Sequence, residues 1–191
     1  MKPALCALSI LLALSVSACG ETESPVQSSK PATPAIKPTA DLPVSQETRL
    51  VHTKVAPGKG TPIALKANQS ASGSFMSENA GQLDAFGVRI GNYRNTADGA
   101  LSLELCIEGA CQNASKPLPG SKDNDFLVFE LAQPTSLAKG QKIDYTLTRS
   151  EDATNRAAVW AYPAPSGQVG LTTSAGKTTN LVPRLVLHFQ K

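Results

Sequence analysis

Residues 101–107 read Leu101-Ser102-Leu103-Glu104-Leu105-Cys106-Ile107, an aliphatic side chain at every second position. Successive side chains of an extended chain point to opposite faces, so this stretch is a strand with one buried face. The next residues are Glu108-Gly109-Ala110-Cys111. With Glu108-Gly109 as a two-residue hairpin turn, Ile107 pairs with Ala110 and Cys106 faces Cys111. The cysteines then form a non-hydrogen-bonded pair with Cα atoms ~4.5 Å apart. That separation lies within disulfide range.

The same period runs outward on both sides. Phe86, Val88 and Ile90 alternate with Gly87 and Arg89, and Ile143, Tyr145 and Leu147 with Asp144, Thr146 and Thr148. Leu185, Leu187 and Phe189 alternate with Val186, His188 and Gln190, where the apolar Val186 blurs the pattern. Phe126 to Leu131 (FLVFEL) is apolar on both faces, which predicts a central strand. Shorter candidates are Leu50 to Val55, Pro62 to Lys66, Ser72 to Met76 and Ala157 to Tyr162. Many short strands, Gly/Pro/Asn turns and no helical period predict an all-β domain over residues 48–191, an antiparallel β-sandwich.

What precedes this domain reads differently. Lys2 supplies a positive start, and Ala4 to Ala18 runs apolar and small without a charge. Fifteen helical residues rise only ~22 Å, short of the ~30 Å hydrocarbon layer, so residues 1–18 read as a signal peptide and not as a permanent span. Val16-Ser17-Ala18-Cys19-Gly20 closes it. This sequence resembles the lipobox of bacterial lipoproteins. The resemblance implies cleavage before Cys19, a diacylglycerol on its thiol and an acyl chain such as palmitate on the new amine. Two or three chains make a lasting anchor where one holds only marginally. With Gly20 in place of an aspartate after the cysteine, the resemblance further implies the outer membrane in a diderm host, with the chain in the cell envelope on the periplasmic or exterior side.

Residues 19–47 carry Pro25, Pro31, Pro34, Pro38 and Pro43 and no aromatic. Such a segment buries too little apolar area to offset ordering its backbone and is expected to be a disordered linker. Its reach runs from ~30 Å as a coil to ~90 Å as polyproline. Cys6 leaves with the signal peptide and Cys19 takes the lipid, so Cys106 and Cys111 remain. Export leads to an oxidising compartment, where the pair is expected to close as a structural staple. Their spacing is neither a C-x-x-C redox motif nor a metal set.

Function is less sharply written. The net charge is +3 over 191 residues with no basic cluster, which argues against nucleic acid. The histidines are His52 and His188, and neither H-E-x-x-H nor G-x-S-x-G occurs. No cofactor motif is present, and the chain is read as a non-enzyme. The acidic turn Ser121-Lys122-Asp123-Asn124-Asp125 offers Asp123 and Asp125 as a weak calcium candidate, although Asp and Asn are also ordinary turn formers.

Trp160 and Tyr162 fall on one face of their strand, and Tyr93 and Arg94 lie in the turn Gly91-Asn92-Tyr93-Arg94-Asn95. Aromatic rings stack on the C–H faces of sugars, while Asn, Gln and Arg bind hydroxyls. Packing of Trp160 in the core is the competing reading.

The order Leu83 to Ile90, Gly99 to Ile107, Phe126 to Leu131, Ile143 to Leu147 and Ala158-Val159-Trp160 resembles jelly-roll β-sandwich modules of bacterial envelope and carbohydrate-active proteins. Galactose-binding-like modules share the pattern. The resemblance implies binding of a glycan or a partner protein. A structural or assembly lipoprotein of the envelope is the alternative, and a hydrolase with an unrecognised site the third reading.

Overall fold

A computed structural model describes residues 47–191. The expected signal peptide, the expected lipidation position Cys19 and the expected linker, as far as residue 46, lie outside the described residues.

The described chain forms strands and no helix. The strands are β1 (Thr48–His52), β2 (Thr61–Leu65), β3 (Ser70–Met76), β4 (Gly81–Gly91), β5 (Ala100–Ile107) and β6 (Ala110–Pro117). They continue with β7 (Phe126–Leu137), β8 (Lys142–Arg149), β9 (Ala157–Pro163), β10 (Thr172–Thr173), β11 (Leu181–Pro183) and β12 (Leu185–Gln190). One sheet runs β1-β12-β4-β9-β11, with β2 added on β9 and β7 on β4; the other runs β10-β3-β8-β5-β6. Every pairing is antiparallel. The chain passes from one sheet to the other at β2–β3, β3–β4, β4–β5, β6–β7, β7–β8, β8–β9, β9–β10 and β10–β11, the winding of a jelly-roll-like sandwich.

Alternation sets the core. Leu101, Leu103, Leu105 and Ile107 of β5 are buried and face Phe86, Val88 and Ile90 of β4 across the sandwich as one apolar cluster. Phe86 stands at its centre, with ring centroids 5.9 Å from Tyr145 and 6.5 Å from Phe75. Burial pushes the Tyr145 phenol up, away from ionisation.

The hairpin takes the expected register, with Ile107 opposite Ala110 and Cys106 opposite Cys111. The disulfide closes with Cα atoms 4.0 Å apart. Glu108 and Gly109 both take positive φ, 51° and 83°. Two such residues give the turn whose twist matches the flanking strands.

One expectation is corrected. FLVFEL does not run through the middle of a sheet: β7 is laddered to β4 on one side only. Its other side is tied to β6 by the Gln112 side chain, whose Nε2 donates to the Gln133 carbonyl (3.0 Å) and whose Oε1 accepts the Gln133 N–H (3.2 Å). Leu127 and Phe129 point into the core, whereas Phe126 and Val128 are only half-buried on the outer face. Their apolarity serves that outer surface. β6 has no apolar alternation and escaped the period; the hairpin, not a buried face, aligns it.

Candidate functional site

β9 is sorted by its pleat. Ala157, Val159 and Ala161 join the core, while Trp160 and Tyr162 stand half-buried on the outer face of the larger sheet. Trp160 is therefore not a central core residue.

Two arginines meet this pair. Arg89 alternates with the buried Val88 and Ile90, so it points outward. Its Nη1 donates to Tyr162 Oη (2.8 Å) and its Nε to the Asn124 carbonyl (3.0 Å). Arg184 lies between β11 and β12, where the chain changes neighbours. Its N–H donates to the Trp160 carbonyl (3.4 Å), and its carbonyl accepts the Arg89 N–H (3.2 Å). Leu185 pairs with Val88 in the core, so the next pair, Arg184 with Arg89, shares the outer face. Phe126 pairs with Arg89 on the other side and extends the face.

Two glycines let the rings lie low. A Cβ on Gly60 would sit 2.9 Å from Tyr162 Cε1 and 3.2 Å from Trp160 Cε3. One on Gly91 would sit 3.2 Å from Trp160 Nε1. Bare backbone at both positions makes room for the indole. Trp160 Nε1 is buried and has no hydrogen-bond partner among the described residues.

Tyr93 and Arg94 occupy the loop that follows Gly91. Tyr93, Arg94 and Asn95 take φ of 51°, 65° and 68° in succession. Such left-handed residues persist only where surroundings enforce them. Here the buried Asn92 does so: its Oδ1 accepts the Asn95 N–H (2.9 Å) and its Nδ2 donates to the Ser121 carbonyl (2.6 Å). Asp123 adds its carboxylate, accepting the N–H of Asn92 (2.8 Å) and of Arg94 (3.1 Å). Tyr93 is left 42% exposed on a braced loop.

Both oxygens of Asp123 are thus spent on backbone, and Asp125 Oδ1 accepts the Phe126 N–H (2.8 Å). Among the described residues no group of three or more His, Cys, Asp and Glu side chains is placed to hold a metal.

His188 is half-buried on the outer face, as its place in the alternation predicted. Burial pushes its imidazole down, opposed by Asp84 and Glu130 nearby. No serine is hydrogen-bonded to either histidine among the described residues.

Two depressions lie elsewhere. A cleft of about 430 Å³ opens between β1 and β3 beneath residues 165–169, with Val51, Phe75, Met76 and Val169 in its wall. A polar hollow of about 470 Å³ lies over β5, β6 and β8, lined by Ser102, Glu104, Asn113, Ser115, Thr146 and Thr148.

Sequence reading selected Trp160, Tyr162, Tyr93 and Arg94. It missed Arg89, Arg184 and the glycines beneath the rings. Arg89 carried a signal, being the charged position that alternates with the apolar Val88 and Ile90; Arg184 carried none, because its neighbours lie 24 and 95 positions away in the chain.

No protein-family model matches the chain, and no curated protein does. A solved structure of the carbohydrate-binding module CBM36 in complex with calcium and xylotriose is similar at 20% identity and a TM-score of 0.33, over 59% of this chain and 95% of that one.

Proposed function

We propose that the domain is a non-catalytic glycan-binding module, held on a membrane surface in the cell envelope by lipid on Cys19. The observation that carries the reading is the placing of Trp160 and Tyr162, two residues apart on the outer face of β9 with Arg89 on the Tyr162 hydroxyl. Ring faces take up the C–H surface of a sugar, and guanidinium N–H groups donate to its oxygens. The Asn92–Asp123 brace fixes the loop that carries Tyr93 just after β4, so little ordering of that loop is needed on binding.

A glycan array probed with the full chain tests this. Trp160→Ala should drop the bound signals to background, with an unchanged far-UV circular dichroism spectrum. Tyr162→Phe, which keeps the ring, should retain stacking and lose only part of the affinity. Full binding by a folded Trp160→Ala variant overturns the reading. The anchor is tested separately by metabolic labelling with an alkynyl fatty acid, which should mark the chain and leave Cys19→Ser unmarked.

The alternative, a structural lipoprotein that packs on another envelope component, draws on the cleft beside β1. There Met76 and Val169 are 57% and 67% exposed on one apolar wall. Site-specific crosslinking from position 169 in cells should trap a discrete partner if this reading is right.

A further inference from the structure

We infer that the saccharide taken by the Trp160–Tyr162 face is acidic: a uronic-acid, sulfated or phosphorylated glycan. The inference rests on the glycan reading above and concerns its specificity.

The basis is a pair of cations without an anion. Arg184, just before β12, meets Arg89 of β4 through the Arg89 N–H to Arg184 carbonyl bond, next to the Leu185–Val88 pair. Among the described residues neither makes an ion pair within 4.0 Å. The Arg89 side chain bonds only to neutral acceptors, the Asn124 carbonyl and the Tyr162 hydroxyl, which leaves Nη2 without a partner. The Arg184 guanidinium has no hydrogen-bond partner among the described residues. Both side chains are half-buried, so they are not freely solvated surface charges.

The carboxylates on either side of Asn124 are ion-paired with neither arginine. Asp123 accepts two backbone N–H bonds and Asp125 the N–H of Phe126. Lys59 and Arg94, both exposed, follow in sequence next to Gly60 and Tyr93 and add positive charge there.

Two arginines whose backbones meet beside the aromatic pair supply guanidinium donors of the kind that bind a planar carboxylate or a sulfate carried on a ring. A neutral sugar would leave them half-desolvated without an anion, which penalises it relative to an acidic one.

The test is affinity electrophoresis of the full chain through gels holding an acidic polysaccharide (polygalacturonate, alginate or chondroitin sulfate) or a neutral one (pullulan, xylan or galactan). The expected result is retardation by at least one acidic polymer and by none of the neutral ones. Arg184→Gln and Arg89→Gln should each weaken it about tenfold. Lys139→Gln removes the same charge from the distant β7–β8 turn and should leave retardation unchanged.

Equal weakening by Lys139→Gln and Arg184→Gln would mean unspecific attraction of a polyanion and overturns the inference. Retardation by a neutral polymer that Trp160→Ala abolishes and Arg184→Gln spares overturns it too, while leaving the glycan reading standing. Retardation by no polymer of either kind removes both. Arg184→Lys separates fork from charge: it should recover only part of the binding. Thermal melting of each variant shows whether it is folded.

Discussion

The rings of His52 and Phe126 lie 5.3 Å apart, centroid to centroid, although β1 and β7 are separated by β12 and β4. Three strand spacings amount to about 14 Å, so both side chains must lean across the sheet to meet. Between them lie Val186, Gly87 and Val128. Val186 points outward yet is only 3% exposed. The outer face thus carries a small second apolar layer with Gly87 as its bare floor, and the apolar break in the β12 alternation belongs to it.

Gly87 is the sensitive position of that layer. A Cβ there would lie 2.4 Å from Val186 Cγ1 and 3.4 Å from Val128 Cγ2. Gly87→Ala should cost about 1–3 kcal/mol in urea denaturation, the usual price of overpacking. Adding Val186→Ala should return part of the loss, since it removes the methyl that clashes. A neutral Gly87→Ala would mean that the layer is loose.

Arg149 is a clamp inside the sandwich. Its side chain has no exposed surface, and it donates from Nη1 to the carbonyls of Asp98 (2.8 Å) and Ala100 (3.0 Å) and from Nη2 to that of Asn155 (3.2 Å). Arg149→Met keeps bulk but strands the Asp98 and Asn155 carbonyl oxygens, while that of Ala100 keeps the Ser150 N–H. A loss of about 3 kcal/mol is expected, and Arg149→Lys should recover little because an ammonium cannot span the fork. Denaturation showing less than about 1 kcal/mol would mean that water satisfies those carbonyls instead.

Asp98 contributes to the acid limb of stability. The Thr154 hydroxyl and the Asn155 N–H, helped by the Thr154 N–H, hold its carboxyl at about 2, below the ordinary 3.8. A depressed acid favours the folded state while ionised. Its contribution is complete above about pH 4 and is lost as pH falls toward 2. Urea midpoints measured from pH 5 to pH 2 should fall for the wild type more steeply than for Asp98→Asn or Thr154→Val. Parallel curves would remove Asp98 from the acid transition.

The disulfide closes a loop of six residues, 106–111, at an exposed tip. Chain entropy for so short a loop is about 2 kcal/mol. Replacing both cysteines by serine should lower stability by that amount and leave the far-UV spectrum unchanged. Loss of the fold would show that the hairpin organises more of the sandwich than its tip.

Local chemistry alone determined a good deal. Alternation at 101–107, 143–147 and 185–189 fixed which side chains face inward, because the pleat allows only two directions. Glu108-Gly109 fixed the hairpin register and with it the cysteine pair, because only a few turn geometries connect two strands in two residues. The paired aromatics on β9 were legible for the same reason.

Tertiary structure decided which strands lie side by side. FLVFEL carries apolar side chains on both faces whether it lies mid-sheet or at a rim, and only the neighbours of β7 show that Phe126 and Val128 form part of an outer layer. Arg184 reaches Arg89 and Trp160 because the chain bends between β11 and β12 and exchanges one neighbour for another. Period two says which way a side chain points and nothing about what stands beside it; that depends on pairings tens of residues apart, settled by how the two sheets close over Phe86 and its ring neighbours.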